Sequence, residues 1–385
     1  MRVAIDYTAA LHQGAGIGRY VRELVRGLAR LDGENEYVIC WARDAGGPPP
    51  AEDVPPRSRL VRLPLTERML IWLWYRLRIP LWAELLTGPV DVFHSPDFTL
   101  PPLRRAQGVL TVHDLSFVRV PECADPAQRR YLTAAVPRSA RRADIVLADS
   151  QNTRHDLLDL FDLPEHKVAV VYPGVDSRFR PVQDKETRLR VRDRYGLTGP
   201  FILALGTLEP RKNLDRLIRA YAHLWIDGPD EATVPPLAFS GDVGWLMDGV
   251  FRLVDDLEIG QHTRFLGYVP DKDLPALLSM ATCLVYPSLY EGFGLPVLEA
   301  LACGTPVVTS NVSSLPEVAG DVAVYCDPHD VADIARAIHR VLDDETLRRL
   351  LSNRGPEQAR HFSWDEAARR VLSVYRQAAK EINHD

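Results

Sequence analysis

The stretch PSLYEGFGLPVLEALACGTP, residues 287–306, places Glu291 and Glu299 eight positions apart around a glycine-bearing turn and a short helix. Pro296 suits a first helical position, and Gly304 suits the left-handed residue that follows a helix end. The apolar runs on either side, CLVYPS and PVVTS, are typical of buried strands. The pattern therefore predicts a strand, an exposed turn, a helix and a second strand.

This order places the turn and the helix start at the carboxyl end of a parallel sheet, where open α/β folds bind ligands. Free backbone N–H groups at a helix start favour an anion. Glu291 and Glu299 would then face whatever is attached to that anion. A glycosidase-like pair fits less well, because retaining hydrolases need carboxyl groups about 5–5.5 Å apart, whereas eight helical residues span about 12 Å.

The composition is that of a globular enzyme. A chain of 385 residues predicts two or three domains, and a net charge of −6 gives no reason to expect nucleic acid as a partner. The five cysteines include no C-x-x-C pair, which favours a reducing compartment over a disulfide framework or a zinc site. Because the chain starts with the strand-like MRVAIDY, we expect no signal peptide and a cytoplasmic protein.

The most apolar segment, residues 69–86, reads MLIWLWYRLRIPLWAELL. Three charged residues and Pro80 interrupt it, so it falls short of a membrane span. It also holds three of the seven tryptophans among basic residues. Two interpretations stay open: a helix packed on its own domain, or an interfacial patch in peripheral contact with the inner face of a membrane.

Two α/β halves follow one another along the chain. The first begins with a strand over residues 3–6 and an amphipathic helix, and it ends at the link YPGVDSRFRP. The second restarts with FILALGTL at residues 201–208. A surface loop is expected over residues 227–236, and Ser363 with Glu366 forms a capping box for a final helix. We predict an N-terminal domain over residues 1–180, a C-terminal domain over 181–362 and a returning helix over 363–385.

Strands between these landmarks complete the two predicted sheets. The further strands predicted in the first half cover residues 90–94, 108–113, 145–149 and 167–172. Those predicted in the second half, besides the two apolar runs already quoted, cover residues 237–240, 263–266 and 323–326.

Six pieces of the chain, in this order, carry a resemblance to a known family. They are GAGIGRYVREL (14–24), TVHDLSF (111–117), ADSQNTRHDL (148–157), YPGVD (172–176), LGTLEPRKNLDRLIRAY (205–221) and EGFGLPVLEALACGTPVV (291–308). Together they resemble the retaining nucleotide-sugar glycosyltransferases of family 4. That resemblance implies the GT-B fold, an α/β architecture of two Rossmann-like parallel-sheet domains facing each other across a cleft. It also implies that the N-terminal half binds the acceptor and the C-terminal half the nucleotide sugar.

Arg211 and Lys212 are the predicted phosphate-binding cations. They lie just after a strand and beside a helix start at Asn213, where the helix dipole disfavours cations unless an anion binds there. The resemblance implies that they stabilise the diphosphate as it leaves the sugar. We therefore expect no metal and no cofactor beyond the nucleotide-sugar substrate.

The resemblance also implies the rest of the donor site. Glu299 would accept hydrogen bonds from the ribose hydroxyls, although a carboxylate early in a helix is also common, and Glu291 would contact hydroxyls of the donor sugar. The other donor-site residues that it implies are Glu209, Phe293, Gly294, Leu295, Tyr268, Val269, Gly16 and Gly18. The glycines do not form G-x-G-x-x-G, because position 19 is arginine, so a dinucleotide fold is disfavoured.

Two strand ends supply further candidates. His113 ends one predicted strand and Asp114 follows it. In relatives a histidine here contacts the donor sugar or the site of transfer, so the resemblance implies a catalytic role for His113, and Asp114 is expected on the acceptor side. His94 ends another predicted strand, and with Asp97 it is expected to line the acceptor side. The alternatives are a core histidine at 113, an Asp114 that only orients its neighbours, and a metal site, which the phosphate chemistry does not need.

The family motifs in this chain have the forms GIGRY, HDLSF and EPRKN, which look most like the same motifs in bacterial mannosyltransferases of surface-polysaccharide assembly. We therefore expect transfer of mannose from GDP-mannose onto a glycan, which could be lipid-linked. The alternatives are a UDP-sugar or dTDP-rhamnose donor, a GT-B epimerase or phosphorylase, and a non-catalytic sugar-binding subunit.

Overall fold

The structure is a computed structural model that describes residues 1–14, 16–226, 234–245 and 248–381. The chain divides into two compact units. The first unit comprises Met1–Val118, Pro126–Gly174 and Phe362–Asp385, and the second comprises Arg119–Asp125 and Val175–His361. Most of the surface loop predicted over residues 227–236 lies outside the described residues.

Seven parallel strands form the sheet of the first unit. They are β1 (Arg2–Asp6), β2 (Glu36–Trp41), β3 (Ser58–Arg62), β4 (Val92–Ser95), β5 (Gln107–Val112), β6 (Ile145–Ala148) and β7 (Val168–Val170). Their order across the sheet is β3-β2-β1-β4-β5-β6-β7. Val3 of β1 lies opposite Tyr37 of β2 on one side and Val92 of β4 on the other. The inner strands are buried on both faces, which explains their continuous apolar runs.

Six parallel strands form the sheet of the second unit. They are β8 (Ile202–Leu205), β9 (Leu237–Ser240), β10 (Thr263–Gly267), β11 (Cys283–Tyr286), β12 (Val307–Ser310) and β13 (Val324–Cys326). Their order is β10-β9-β8-β11-β12-β13, so β8 and β11 lie side by side at the centre. Because all strands are parallel, the turns that follow them meet at one edge of the sheet.

Helices connect the strands in both units. Those of the first unit are α1 (Thr8–His12), α2 (Ile17–Leu31), α3 (Glu67–Ile71), α4 (Glu84–Thr87), α5 (Ser116–Arg119), α6 (Pro126–Arg142), α7 (Gln151–Phe161) and α16 (Trp364–Glu381), α5 reaching one residue into the second. Those of the second unit are α8 (Lys185–Tyr195), α9 (Leu214–Ile226), α10 (Asp248–Asp256), α11 (Leu274–Met280), α12 (Leu295–Ala302), α13 (Leu315–Ala319), α14 (Val331–Asp343) and α15 (Glu345–Ala359).

The last helix, α16, belongs to the core of the first unit. Ser363 caps it by accepting from the N–H of Glu366 at 3.1 Å, as the predicted capping box requires. The ring of Trp364 meets that of Tyr20 on α2 edge-on, with centroids 5.6 Å apart. Gly174 lies against the start of this helix, and a Cβ there would come within 2.0 Å of the Trp364 nitrogen.

The tryptophan-rich segment is a broken helix. After α3, residues Trp72–Arg76 form a π-helical turn, in which the N–H of Leu77 donates to the carbonyl of Trp72 at 2.9 Å. The indole of Trp74 then donates to the carbonyl of Leu81 at 2.8 Å, which folds the chain back after Pro80. None of the described helices is long and apolar enough to cross a membrane.

Gly174→Ala should destabilise the first unit. The added methyl group would collide with the backbone of Trp364, and overpacking of this kind costs about 1–3 kcal/mol. The matched control is Gly33→Ala, because a Cβ at Gly33 meets nothing within 4 Å. Urea unfolding followed by tryptophan fluorescence measures both variants, and equal midpoints would contradict the packing described for α16.

Candidate functional site

The turn after β8 carries the two predicted cations. Pro210–Lys212 form a single 3₁₀ turn directly after Glu209. Asn213 closes it in the left-handed conformation, with φ 60°, which asparagine adopts more readily than most residues. Its amide donates to the carbonyls of Pro287 and Pro328 at 3.0 and 2.7 Å. Because these carbonyls follow β11 and β13, the amide ties the turn to two other strand ends.

Glu291 brings the two cations together. One carboxylate oxygen lies 2.6 Å from Nη1 of Arg211, and the other lies 2.7 Å from Nζ of Lys212. Arg211 also contacts Glu209, with 2.5 Å between Nη2 and Oε1. We call these four residues, Glu209, Arg211, Lys212 and Glu291, the ion quartet. Their side chains are only 8% to 17% exposed, and the two carboxylates balance the two cations.

Tyr286 completes the surroundings of Lys212. Its hydroxyl lies 2.5 Å from the Lys212 ammonium and donates to Oε1 of Glu291 at 2.9 Å. The ammonium also lies 4.8 Å from the centre of the tyrosine ring, within the range of a cation–π contact. Tyr286 was not predicted as a site residue, although it lies in the apolar run CLVYPS before the Glu291 turn.

The charges within the ion quartet determine the protonation state of Glu291 and shift the pKa of Lys212. Burial alone would raise the pKa of Glu291, but Arg211 and Lys212 outweigh burial and lower the pKa to about 2. Burial and the neighbouring Arg211 lower the pKa of Lys212, and Glu291 opposes that change. Because Glu291 is ionised at neutral pH, it can accept hydrogen bonds but cannot act as a general acid. The quartet thus presents two cations held in place by carboxylates, a geometry suited to phosphate oxygens.

Two serines after β12 shape the turn that carries Glu291. The N–H of Glu291 donates to Oγ of Ser313 at 3.0 Å. The hydroxyl of Ser314 contacts the carbonyls of Glu291 and Phe293 at 2.9 and 2.8 Å. Gly294 then caps α12 with φ 109°, where a Cβ would lie 2.8 Å from a leucine side chain of α13. Neither serine is predicted from the sequence, because nothing in the local pattern links them to the turn.

The other predicted donor residues of the second unit lie at or near its carboxyl-end turns. Phe293 is buried within the Glu291 turn, and Leu295 begins α12. Glu299 is buried in the middle of the same helix, with 4% of its surface exposed. After β10, Tyr268 is 47% exposed while Val269 is buried. The residues of the Glu291 turn and of α12 thus lie after β11, beside the turn after β8, whereas Tyr268 and Val269 follow β10, two strands from β8.

The predicted glycines lie at the start of α2 in the first unit. Gly16 caps this helix with φ 56° and is exposed. Gly18 is buried against carbonyl groups of α1 and of the residue after it. Their neighbour Ala15 is not among the described residues.

His113 follows β5 and is held from two sides. Its Nδ1 lies 2.7 Å from Oδ2 of Asp149, and its Nε2 lies 2.8 Å from the carbonyl of Pro96. Asp149 was not predicted as a site residue, although its place directly after β6 is a signal that the sequence offers. Asp114 forms a local turn in which Oδ1 accepts from the N–H and the hydroxyl of Ser116, at 2.8 and 2.7 Å.

His94 and Asp97 have different environments. Asp97 is half-buried, and burial raises its pKa to about 6 although His113 opposes the rise. His94 is 0% exposed, with Nδ1 2.7 Å from the Tyr375 hydroxyl and Nε2 2.9 Å from Oγ1 of Thr111. Burial lowers its pKa to about 3. The placement of His94 on the acceptor side is therefore corrected: it is a core histidine whose ring nitrogens are both engaged.

Within the ranges that the structure describes, no group of three or more His, Cys, Asp or Glu side chains is arranged to hold a metal ion. His94, Asp97, His113 and Asp114, for which a metal site was one alternative, accordingly form no such group. The five cysteines are buried and free.

Comparisons with known proteins bear on the family of the chain. A family model described as Glycosyltransferase Family 4 matches residues 14–179, and one described as Glycosyl transferases group 1 matches residues 187–358. The chain is 37% identical to the O-antigen chain mannosyltransferase B of Escherichia coli, across 94% of this chain and 96% of that one. It is 32% identical to the D-inositol 3-phosphate glycosyltransferase of Salinispora arenicola, across 97% and 90% respectively.

The fold matches solved structures as well. Sucrose-phosphate synthase from Thermosynechococcus elongatus superimposes with a TM-score of 0.77 over 98% of both chains, at 22% identity. At that identity the structural match shows the fold alone. The family is shown by the 37% sequence identity to the Escherichia coli protein, which extends over nearly the whole of both chains. The chain therefore belongs to the family 4 glycosyltransferases and has the GT-B fold of two Rossmann-like domains.

Proposed function

We propose that this glycosyltransferase moves mannose from GDP-mannose onto a glycan acceptor and retains the anomeric configuration. The observation that carries the proposal is the ion quartet, in which Glu291 holds two buried cations at the carboxyl edge of the second sheet. The identity to a protein named as an O-antigen mannosyltransferase supports mannose as the sugar. In this proposal the second unit binds the donor and the first unit binds the acceptor.

The proposed reaction takes place on one face of the sugar. The acceptor hydroxyl attacks the anomeric carbon from the side on which the diphosphate leaves. The bond between that carbon and the phosphate oxygen breaks, its electron pair goes to the phosphate, and the phosphate takes the acceptor proton. Arg211 and Lys212 stabilise the growing negative charge. This route needs no protein acid, which agrees with a Glu291 whose pKa is about 2.

The remaining residues have supporting roles in the proposal. Glu299 accepts hydrogen bonds from the ribose, and Glu291 contacts hydroxyls of the sugar. The donor also meets Glu209, the backbone at Phe293, Gly294 and Leu295, the turn at Tyr268 and Val269, and the glycines Gly16 and Gly18. On the acceptor side, Asp97 and Asp114 are partly exposed and offer carboxylates to sugar hydroxyls.

We also propose that the enzyme works in the cytoplasm, in peripheral contact with the inner face of a membrane that presents a lipid-linked acceptor. The support is the segment at residues 69–86. Met69, Trp72, Leu77 and Ile79 are all more than 40% exposed there. Exposed arginines at positions 76 and 78 accompany them, a combination that suits anionic lipid headgroups.

Loss of either cation should slow the transfer. We expect Arg211→Ala and Lys212→Ala each to lower kcat about 10²- to 10³-fold, because each removes a charge that stabilises the leaving diphosphate. The measurement is GDP release from GDP-mannose with a mannose-terminated oligosaccharide as acceptor. Arg219→Ala is the control, since Arg219 is half-exposed on α9 and pairs with Asp215. Unchanged turnover in folded Arg211→Ala would refute the role of the quartet, and equal GDP release without acceptor would refute transfer.

Nucleotide binding should identify the donor base. A ligand that binds only the native state stabilises it by about 2.7 kcal/mol at 100 times its Kd. We expect GDP to raise the melting temperature more than UDP, dTDP or ADP, and Glu299→Gln to reduce the shift through loss of the ribose contact. A larger shift with UDP or dTDP would favour the alternative donors over GDP-mannose. No shift with any of the four would contradict the donor site.

Membrane contact can be tested with vesicles. The protein should co-sediment with vesicles that contain phosphatidylglycerol, and rising salt should weaken the binding because it screens the arginines. Trp72→Asp combined with Leu77→Asp should abolish the binding. Leu189→Asp is the control, since Leu189 is a 46% exposed leucine on α8 of the second unit. Binding that survives the double substitution would refute the assignment of this segment.

A further inference from the structure

Both ring nitrogens of His113 face hydrogen-bond acceptors. Nδ1 lies 2.7 Å from the carboxylate of Asp149, and Nε2 lies 2.8 Å from the carbonyl oxygen of Pro96. A carbonyl oxygen only accepts hydrogen bonds, and a neutral imidazole carries a single N–H. The contacts are therefore satisfied when the ring carries both protons and Asp149 carries none, or when Asp149 holds the proton of Nδ1.

Burial raises the pKa of Asp149 and Asp114 adds to the rise, whereas His113 and the start of α7 favour the ionised carboxylate. Asp149 directly precedes Ser150, the N-cap of the eleven-residue helix α7, where the helix dipole stabilises a negative charge. Burial alone would lower the pKa of His113, but the Asp149 carboxylate outweighs burial and raises it to about 9. The half-buried Asp97 acts in the same direction.

The ring is also closely packed. Tyr20 and Phe98 meet it edge-on, with ring centres 4.8 and 5.5 Å away. The hydroxyl of Thr153 on α7 donates to the carbonyl of His113 at 3.3 Å. With 8% of its surface exposed, His113 has little freedom to turn either nitrogen toward a substrate.

We infer that Asp149 is a positioning residue that keeps His113 as an imidazolium ion at the carboxyl edge of the first sheet. In this state neither nitrogen has a free lone pair, so His113 cannot serve as a general base. Both N–H groups are also engaged within the protein. His113 therefore acts through a fixed positive charge, which favours an electron-rich oxygen of a bound substrate. The inference rests on the proposed transfer function and adds to it a residue that the sequence did not reveal.

The neighbouring ionisable groups leave this charge in place. Those around the His113–Asp149 pair are Asp97 after β4, Asp114 after β5, Tyr20 on α2 and His94 on β4. Burial raises the pKa of Tyr20 and lowers that of His94, so both are neutral at pH 7. The charged neighbours that remain are carboxylates, which stabilise a cation.

The pH dependence follows from the raised pKa. The unfolded value for histidine is about 6.5, so the charge is fully present below that pH and is lost only as the pH rises through about 9. Asp149→Asn keeps an acceptor for Nδ1 but removes the anion. Burial then lowers the pKa of His113 below its usual value, and the ring should be neutral at pH 7.5.

Nitrogen-15 NMR of histidine-labelled protein tests the protonation directly. We expect both nitrogens of His113, assigned with a His113→Asn variant, to be protonated at pH 7.5 and to stay so to about pH 9. In Asp149→Asn, the ring should titrate below pH 6.5. His94 is the internal control, since it should be neutral in both proteins. A His113 that carries one ring proton at pH 7.5 in the unmodified protein overturns the inference, whether or not Asp149→Asn folds.

Activity provides a second readout. At pH 8, Asp149→Asn should lower kcat roughly 10²-fold, and its activity should recover as the pH falls toward 6. His113→Gln should lose as much at every pH, and the double variant should lose no more than either single one. A pH profile of Asp149→Asn parallel to that of the unmodified enzyme would overturn the inference. Failure of transfer with every donor would instead reject the proposed function and leave the NMR result standing.

Discussion

The carboxylate of Glu291 is the interaction on which the candidate site depends. Each of its oxygens contacts one cation, and Lys212 lies 79 positions away in the sequence. Without this carboxylate, two like charges would lie side by side in a poorly solvated setting, where their repulsion is strong. Glu291 therefore joins the turn after β8 to the turn after β11 and keeps both cations charged and oriented. The Asn213 amide adds a second, uncharged link between the same turns.

Much of the architecture could be predicted from local sequence. The caps that bound α12 are readable because their backbone demands are specific: Gly304 adopts φ 71°, as a residue after a helix end should. Buried parallel strands are equally readable where the apolar run is continuous, as in β11 and β12. The motif order then led to the family and the fold, which the comparisons confirm. Arg211, Lys212, Glu209 and Glu291 were selected from sequence and do lie together.

The features that sequence did not predict depend on long-range pairing. Ser313 and Ser314 are ordinary loop residues until the fold brings them under the Glu291 turn. Asp149 resembles any strand-end carboxylate, because its partner His113 is 36 positions away. For His94 the error was the reverse. Its position at a strand end suggested a functional role, but Tyr375 of α16 covers the ring, which makes it a core residue. β2 and β3 were both missed: the run YVICW of β2 is buried but was not recognised, and SRLVR of β3 is an exposed edge strand with a polar sequence.

The division of the chain has a consequence for how the protein is made. Residues 175–361 of the second unit are contiguous, whereas the first unit is completed only by α16, whose Val371 and Tyr375 are buried in its core. During translation, the large second unit can therefore leave the ribosome in full before the first unit has its last core helix. Until then the apolar face of α2 that receives α16 stays uncovered, so the first unit can complete its core only after α16 has been made.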